Sequence, residues 1–163
     1  MRRSSKGVVF RRIEGGRLKI AKEPLLILET FIQDENKKKE AGGVLLGRMI
    51  KNRKDIVIDS VSTPQKKDKR KRTFFKRNNE HQTIINEEWE KSDGTCNYLG
   101  EWHTHPEAIP SPSGVDLKNW KKQLRNAKYE GDTLFFIIVG IKEIVAYEGS
   151  NSNLKIQELV KYE

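Results

Sequence analysis

Gly100-Glu101-Trp102-His103-Thr104-His105-Pro106 is the stretch from which the rest of the chain is read. Written as a strand, it places alternate side chains on one face, with the Cα atoms of His103 and His105 about 6.5 to 7 Å apart. Two imidazoles at that spacing can meet on one ion. Pro106 offers no N–H to a neighbouring strand and ends the run. Three of the five prolines fall at 106, 110 and 112, so the connection to Ser113 is stiff. Ser113-Gly114-Val115-Asp116 then opens a helical pattern. Ser-x-x-Asp is by itself a capping pattern that satisfies first-turn backbone donors. Beside a His-x-His strand end, the same geometry also turns the Asp116 carboxylate towards the imidazoles and supplies a third, anionic ligand. Three protein ligands leave a fourth tetrahedral position for water, the arrangement of catalytic rather than structural zinc.

Upstream, a hairpin is expected with arms at residues 7–13 and 17–20 around Glu14-Gly15-Gly16. The spacing of Leu25, Leu26, Leu28, Phe31 and Ile32 predicts a helix over 23–33, with Pro24 acceptable in its first turn. Two β-rich segments, 43–50 and 55–61, flank a polar Lys51-Asn52-Arg53-Lys54 connection and read as a second hairpin. Residues 62–72 read as a solvated loop, since six of the seven positions from Lys66 to Arg72 are basic and repel one another. A short extended piece at 73–75 leads to a helix over 79–91, stopped by Asp93-Gly94. Beyond the 97–105 strand come a helix over 113–128, strands at 133–139 and 143–147 around Gly140, and a final strand in 154–160. No repeat or linker divides residues 1–163. Mixed hairpins and three helices argue for a single domain of the α+β class.

Composition bounds the function without naming it. The 163 residues carry 32 basic and 23 acidic side chains, a net charge of +9, and charged residues make up 34% against about 25% in ordinary domains. Such a surface attracts acidic partners of any kind. A lone cysteine, Cys96, excludes an internal disulfide framework, and no apolar run approaches the ~18 residues of a membrane span. The segment Met1-Arg2-Arg3-Ser4-Ser5-Lys6 is basic, but the apolar run from Val8 to Phe10 stops at Arg11 and is too short for a signal-peptide core. A reducing, cytoplasmic setting without a membrane is expected.

Several residues near the motif have plainer readings. Glu101 shares the parity of His103 and His105, so it either supports a histidine or sits near a sheet edge. Trp102 points to the opposite face and braces the strand, and Trp120 reads as packing. His81 falls in the 79–91 helix as a structural or exposed residue, and Cys96 reads as small-residue packing. The run from Lys66 to Arg72 reads as solvated loop, with nucleic acid or an acidic protein face as the alternatives.

The pattern His103-x-His105-Pro106, then Ser113-x-x-Asp116, resembles the signature of JAMM (JAB/MPN-plus) metalloproteases. Glu40-Ala41-Gly42-Gly43-Val44-Leu45-Leu46-Gly47 is similar to that family's strand carrying a general-base glutamate. The resemblance implies a JAB/MPN domain built on a twisted mixed sheet flanked by helices, an arrangement shared with cytidine deaminases. Deaminase chemistry itself is excluded, because no His-x-Glu is followed by Pro-Cys-x-x-Cys. Carried over to this chain, the resemblance implies Zn2+ held by His103, His105 and Asp116, Glu40 as general base and Ser113 as oxyanion donor. Gly100-Glu101-Trp102-His103-Thr104-His105-Pro106-Glu107 followed by Pro110-Ser111-Pro112-Ser113 resembles, more narrowly, the stand-alone bacterial subgroup of mobile elements and CBASS anti-phage operons. That subgroup implies a deubiquitinase-like isopeptidase cutting after the tail of a ubiquitin-like protein or its conjugate. A conjugated nucleotidyltransferase and E1-like and E2-like proteins are the implied partners. The alternatives are a non-catalytic MPN-type scaffold, against which the intact residue set argues, and a DNA-associated JAMM-like factor.

Overall fold

The computed structural model describes residues 6–162. The basic segment ahead of Lys6 therefore lies outside the described residues. The first hairpin forms as expected: β1 (Val8–Arg11) and β2 (Arg17–Ile20) pair antiparallel, with Gly15 and Gly16 both at positive φ in the turn. Helix α1 (Lys22–Glu29) is shorter than the spacing predicts. The Thr30 hydroxyl donates to Ile27 O, and Phe31 and Ile32 donate to carbonyls three residues back, which tightens the chain out of the α-helix. Gln33 is carried into the interior by that turn.

Strands β3 (Gly42–Met49) and β4 (Ile56–Val61) pair antiparallel as the second hairpin. The next segment departs from expectation. Residues 62–72 are not one solvated loop, because β5 (Lys69–Lys71) and β6 (Phe74–Lys76) form a separate two-stranded ribbon. Like-charge repulsion is overcome at its base by the buried Asp68 carboxylate. It accepts hydrogen bonds from the backbone N–H groups of Gln65 and Asn78 and lies 2.6 Å from His81 Nε2.

Helix α2 (Glu80–Lys91) leads to β7 (Asn97–Thr104), the strand with the histidines. This strand lies in the middle of a nine-stranded mixed sheet, antiparallel to β3 and parallel to β8 (Thr133–Val139). Its pairing with β3 shifts register at Gly100, whose φ is +141°. A Cβ there would collide with Phe135 O, so only glycine allows β7 and β8 to approach. Helix α3 (Gly114–Asn126) precedes β8, which pairs antiparallel with β9 (Ile144–Ser150).

The two sheet faces bury different sets. Phe135, Ile137 and Val139 join Phe10, Leu25, Leu28 and Trp102, while Leu134, Phe136 and Ile138 meet Trp120 and Leu124 of α3. Burial on both faces explains why β8 is apolar from Leu134 to Val139.

The final segment is two short strands rather than one. β10 (Ile156–Glu158) extends the sheet beyond β9, and β11 (Val160–Lys161) pairs with β1 at the far end of the same sheet. Only Leu159 separates them, and its N–H donates to Ala146 O. The sheet is thus curled until the C-terminal segment joins its ends. Arg12 crosses the same seam, 2.9 Å from Glu148 and over the Phe135 ring. The strands left at the two ends, β10 and β11, are only three and two residues long, too short to offer much edge to other chains.

Candidate metal centre

The histidines occupy the end of β7 because the backbone stays paired past the strand's last residue. Thr104 N–H donates to Ala41 O, and His105 N–H donates to Val139 O. The proline-rich loop then runs across the β8–β9 turn, where Ile141 donates to Glu107 O and Lys142 and Glu143 to Ala108 O. It delivers the chain to Ser113, the N-cap of α3. Asp116 N–H donates to Ser113 Oγ at 3.0 Å and Ser113 N–H donates to Asp116 Oδ2 at 2.9 Å. The capping reading and the site reading therefore hold together: the same bonds that start the helix aim the carboxylate. Because Ser113 Oγ already accepts, its O–H is the group left to donate.

His103 Nε2 and His105 Nε2 are 2.9 Å apart, and Asp116 Oδ2 lies 3.4 Å from the first and 3.2 Å from the second. Ligand atoms placed tetrahedrally at about 2.05 Å from zinc are about 3.3 Å from one another, so both distances to Asp116 match and the two histidine nitrogens need part by only about 0.4 Å to fit the ion. Its two nitrogens and one carboxylate oxygen also suit zinc chemically. Burial acts to lower the His105 imidazole, but hydrogen bonds to Asp116 and Glu107 outweigh it and raise the group to about 9. Burial would raise the Asp116 carboxyl, yet His103 and His105 hold it well below the carboxylate range. Both shifts express one field, which favours positive charge where the three side chains meet.

Glu40, just ahead of β3, is 6% exposed, with Oε1 3.8 Å from His105 Nε2. The ribbon holds its backbone: Glu40 N–H donates to Lys71 O, and Arg70 Nε donates to Glu40 O, both at 2.8 Å. Burial pushes its carboxyl up to about 7, against the pull of His105. A cation bound alongside would draw that value down. Glu40, His103, His105, Ser113 and Asp116 all line one cleft of about 470 Å³, together with Phe74 and Phe75 of the ribbon and Val115 and Trp120 of α3.

Glu101 does share the cleft face, but it lies neither at a sheet edge nor against a ring nitrogen. Its carboxylate is 3.4 Å from Arg77 Nε. The carboxylate that supports a histidine is Glu107, 2.8 Å from His105 Nδ1. Sequence reasoning passed over it as part of the loop, although its place two residues after His105 was the available signal. Also missed was the buried pair Gln33 and Thr104. Thr104 Oγ1 accepts from Ala41 N–H and donates to Gln33 Oε1, while Gln33 Nε2 donates to Lys38 O and Arg72 O. This network ties the histidine strand, the Glu40 segment and the end of the ribbon together. Trp102 faces away from the cleft as expected, with its indole N–H donating to Ser62 O. His81 is structural, buried between Ser62 Oγ and Asp68. Cys96 is half-buried, and burial pushes its thiol up.

A curled mixed sheet with a His-x-His strand end facing a helix-borne carboxylate defines a protein of the JAB/MPN class. The chain belongs to the prokaryotic homologs of the JAB domain, whose family model matches residues 30–151. It is 35% identical over 126 residues to a "CD-NTase/cGAS isopeptidase" of Escherichia coli, a match covering 77% of each chain. A protein of the same name from Pseudomonas aeruginosa is 38% identical over 115 residues, covering 68% of this chain and 72% of that one. The fold is also similar to the solution structure of a Desulfitobacterium hafniense protein, with a TM-score of 0.60 at 18% identity over 85% of this chain and 87% of that one. Among the described residues, no helix is long and apolar enough to cross a membrane.

Proposed function

We propose that this protein is a zinc-dependent isopeptidase that hydrolyses the amide bond after the C-terminal tail of a ubiquitin-like protein or its conjugate. Its setting is a cytoplasmic bacterial anti-phage system of the CBASS type, with E1-like and E2-like proteins as neighbours. The relatives' names support a conjugated nucleotidyltransferase as substrate. The observation that carries the reading is the convergence of His103, His105 and Asp116 beside the buried Glu40 carboxylate.

Zinc, when bound, makes a water acidic enough to attack at neutral pH and polarises a carbonyl. His103 and His105, through their Nε2 atoms, and the Asp116 carboxylate would hold the ion. Glu40 accepts a proton from the attacking water as the new C–O bond forms, then delivers it to the departing amine as the C–N bond breaks. Its place 3.8 Å from His105 Nε2, beside the point where the ligand atoms meet, suits both halves of that task. The Ser113 O–H donates to the carbonyl oxygen as negative charge collects there.

The test is a gel of a ubiquitin-like fusion incubated with wild type, Glu40→Gln and His103→Ala, alongside elemental analysis of each protein. Wild type should carry one zinc and cleave, Glu40→Gln should keep zinc and lose turnover, and His103→Ala should lose both. Cleavage that persists in Glu40→Gln and after chelation would end this reading.

A further inference from the structure

The ribbon that holds Glu40 has a second face that contributes nothing to the fold. Cross-strand partners share a face, and the pairs are Lys69 with Lys76, Arg70 with Phe75, and Lys71 with Phe74. Arg70 and Phe75 turn inward, Arg70 onto Glu40 O and the Phe75 ring onto Gly42, where a Cβ would stand 2.5 Å from the ring. Lys69, Lys71, Phe74 and Lys76 therefore share the outer face, and all four are exposed. None of these three lysines has an ion pair among the described residues. Lys66 and Lys67, just before the ribbon, have none either. Asp68, the one acidic side chain within this run, is buried and already occupied by backbone donors and His81.

Like charges set directly across a strand pair destabilise it, and an exposed phenylalanine beside them adds unfavourable apolar surface. Both features become favourable when an anionic partner covers the face. Phe74 belongs to this face and also lines the cleft, so the partner lying on the ribbon is continuous with the chain entering the site. We infer that the Lys69–Lys71–Phe74–Lys76 face is a docking surface for an acidic polypeptide segment of the substrate. The inference rests on the isopeptidase reading, because that reading makes the occupant of the cleft a polypeptide. The ribbon runs about 7 Å from the Lys71–Phe74 pair to the Lys69–Lys76 pair, so the acidic side chains stand two or more residues away from the cut. A single exposed aromatic, with no row of stacking platforms, favours peptide over single-stranded nucleic acid.

The experiment needs no turnover and so stands apart from the cleavage assay. Fluorescence anisotropy measures binding of a fluorescein-labelled poly-glutamate peptide and of an oligothymidylate of equal charge to the zinc-loaded full chain. The proteins are wild type, Lys69→Glu/Lys71→Glu/Lys76→Glu, and a charge-matched control, Lys121→Glu/Lys122→Glu/Lys128→Glu, at positions on and just beyond α3 that are exposed or half-buried. The ribbon variant should weaken peptide binding at least about tenfold, and the control less than about threefold. A neutral Lys69→Gln/Lys71→Gln/Lys76→Gln protein should fall between wild type and the ribbon variant, and it replaces that variant if charge reversal prevents folding. Equal loss in both triple variants would reduce the effect to net charge, and tighter binding of the oligothymidylate would assign the face to nucleic acid. Either result overturns the inference. Intact peptide binding without cleavage of any fusion would instead strike the isopeptidase reading alone.

Discussion

Replacing Gln33 probes how the fold holds the cleft together, and its outcome can be worked from the hydrogen bonds around one side chain. Gln33 is 1% exposed and Thr104 is fully buried. In Gln33→Leu the Thr104 hydroxyl loses its acceptor, at about 1 to 3 kcal/mol for a buried unsatisfied group. The carbonyls of Lys38 and Arg72 lose their donor as well, but these residues are half-buried and exposed, so water replaces much of it and each costs about 0.5 to 1 kcal/mol. Leucine returns about 1 to 2 kcal/mol through apolar burial. A net destabilisation of about 1 to 3 kcal/mol is expected. Gln33→Glu keeps the shape and still accepts from Thr104, yet an ionised carboxylate would face two carbonyl oxygens. An uncompensated charge of this kind costs about 3 to 5 kcal/mol.

The carboxyl introduced by Gln33→Glu escapes that penalty by keeping its proton, which raises its pKa in the folded state above the unfolded value of about 4.3. Between those two values the native state binds more protons than the unfolded state, so stability falls as pH rises, by up to about 1.4 kcal/mol per pH unit. The deficit relative to wild type is therefore small near pH ~5 and large near pH ~8, whereas the Gln33→Leu deficit stays constant. Urea unfolding of the three proteins at both pH values reads this directly. A Gln33→Glu deficit that is the same at both, or below about 0.5 kcal/mol throughout, would refute the assigned donor roles.

Two further changes test the surroundings of the site. Glu107→Ala should weaken zinc binding about tenfold, at the low end of the range for a carboxylate supporting a histidine ligand because this side chain is 47% exposed. Glu107→Gln, which still accepts from His105 Nδ1, should fall between wild type and Glu107→Ala in a competition titration against a chelator. Asp68→Ala should release the base of the ribbon, costing about 3 kcal/mol in urea unfolding. It should also expose the Lys66 to Lys76 segment to trypsin several-fold faster than in wild type.

The parts of the fold that were readable from sequence are those set by short-range periodicity. His103 and His105 share a face because strands alternate, Ser113 and Asp116 cap a helix because they are three apart, and the apolar run of β8 signals burial on both sides. What escaped depends on partners distant in the chain. A basic run reads as solvated until its own Asp68 is seen to be held by His81 and its strand by the backbone of Glu40, and neither of those partners is predictable from the run itself. Gln33 looked like the end of a helix because its partners lie at Lys38, Arg72 and Thr104. The 154–160 segment carried an apolar alternation that fits one strand, whereas the chain breaks at the buried Leu159 and its flanks pair at opposite ends of the sheet. Glu101 and Glu107 illustrate the same limit within the site. Parity put the first on the histidine face, but Arg77 took its carboxylate, while loop geometry brought the second to His105.

The charge of the whole chain and the charge of its cleft have opposite signs, and that contrast bears on function more than either value alone. The net charge of +9 comes from a surface that includes the ribbon lysines. The cleft gathers Glu40, Glu101, Glu107 and Asp116 around two histidines. Arg77 answers Glu101, Glu40 and Asp116 face the point where the histidine nitrogens meet, and Glu107 holds the far nitrogen of His105. A proton shared between the imidazoles satisfies that field only in part. A divalent cation satisfies it more completely and leaves both rings neutral, as ligation requires. Carboxylates held this close without such a cation would repel one another, so the cluster is stable in proportion to the positive charge it holds. The ribbon lysines stand outside that field, where they can meet negative charge on the substrate.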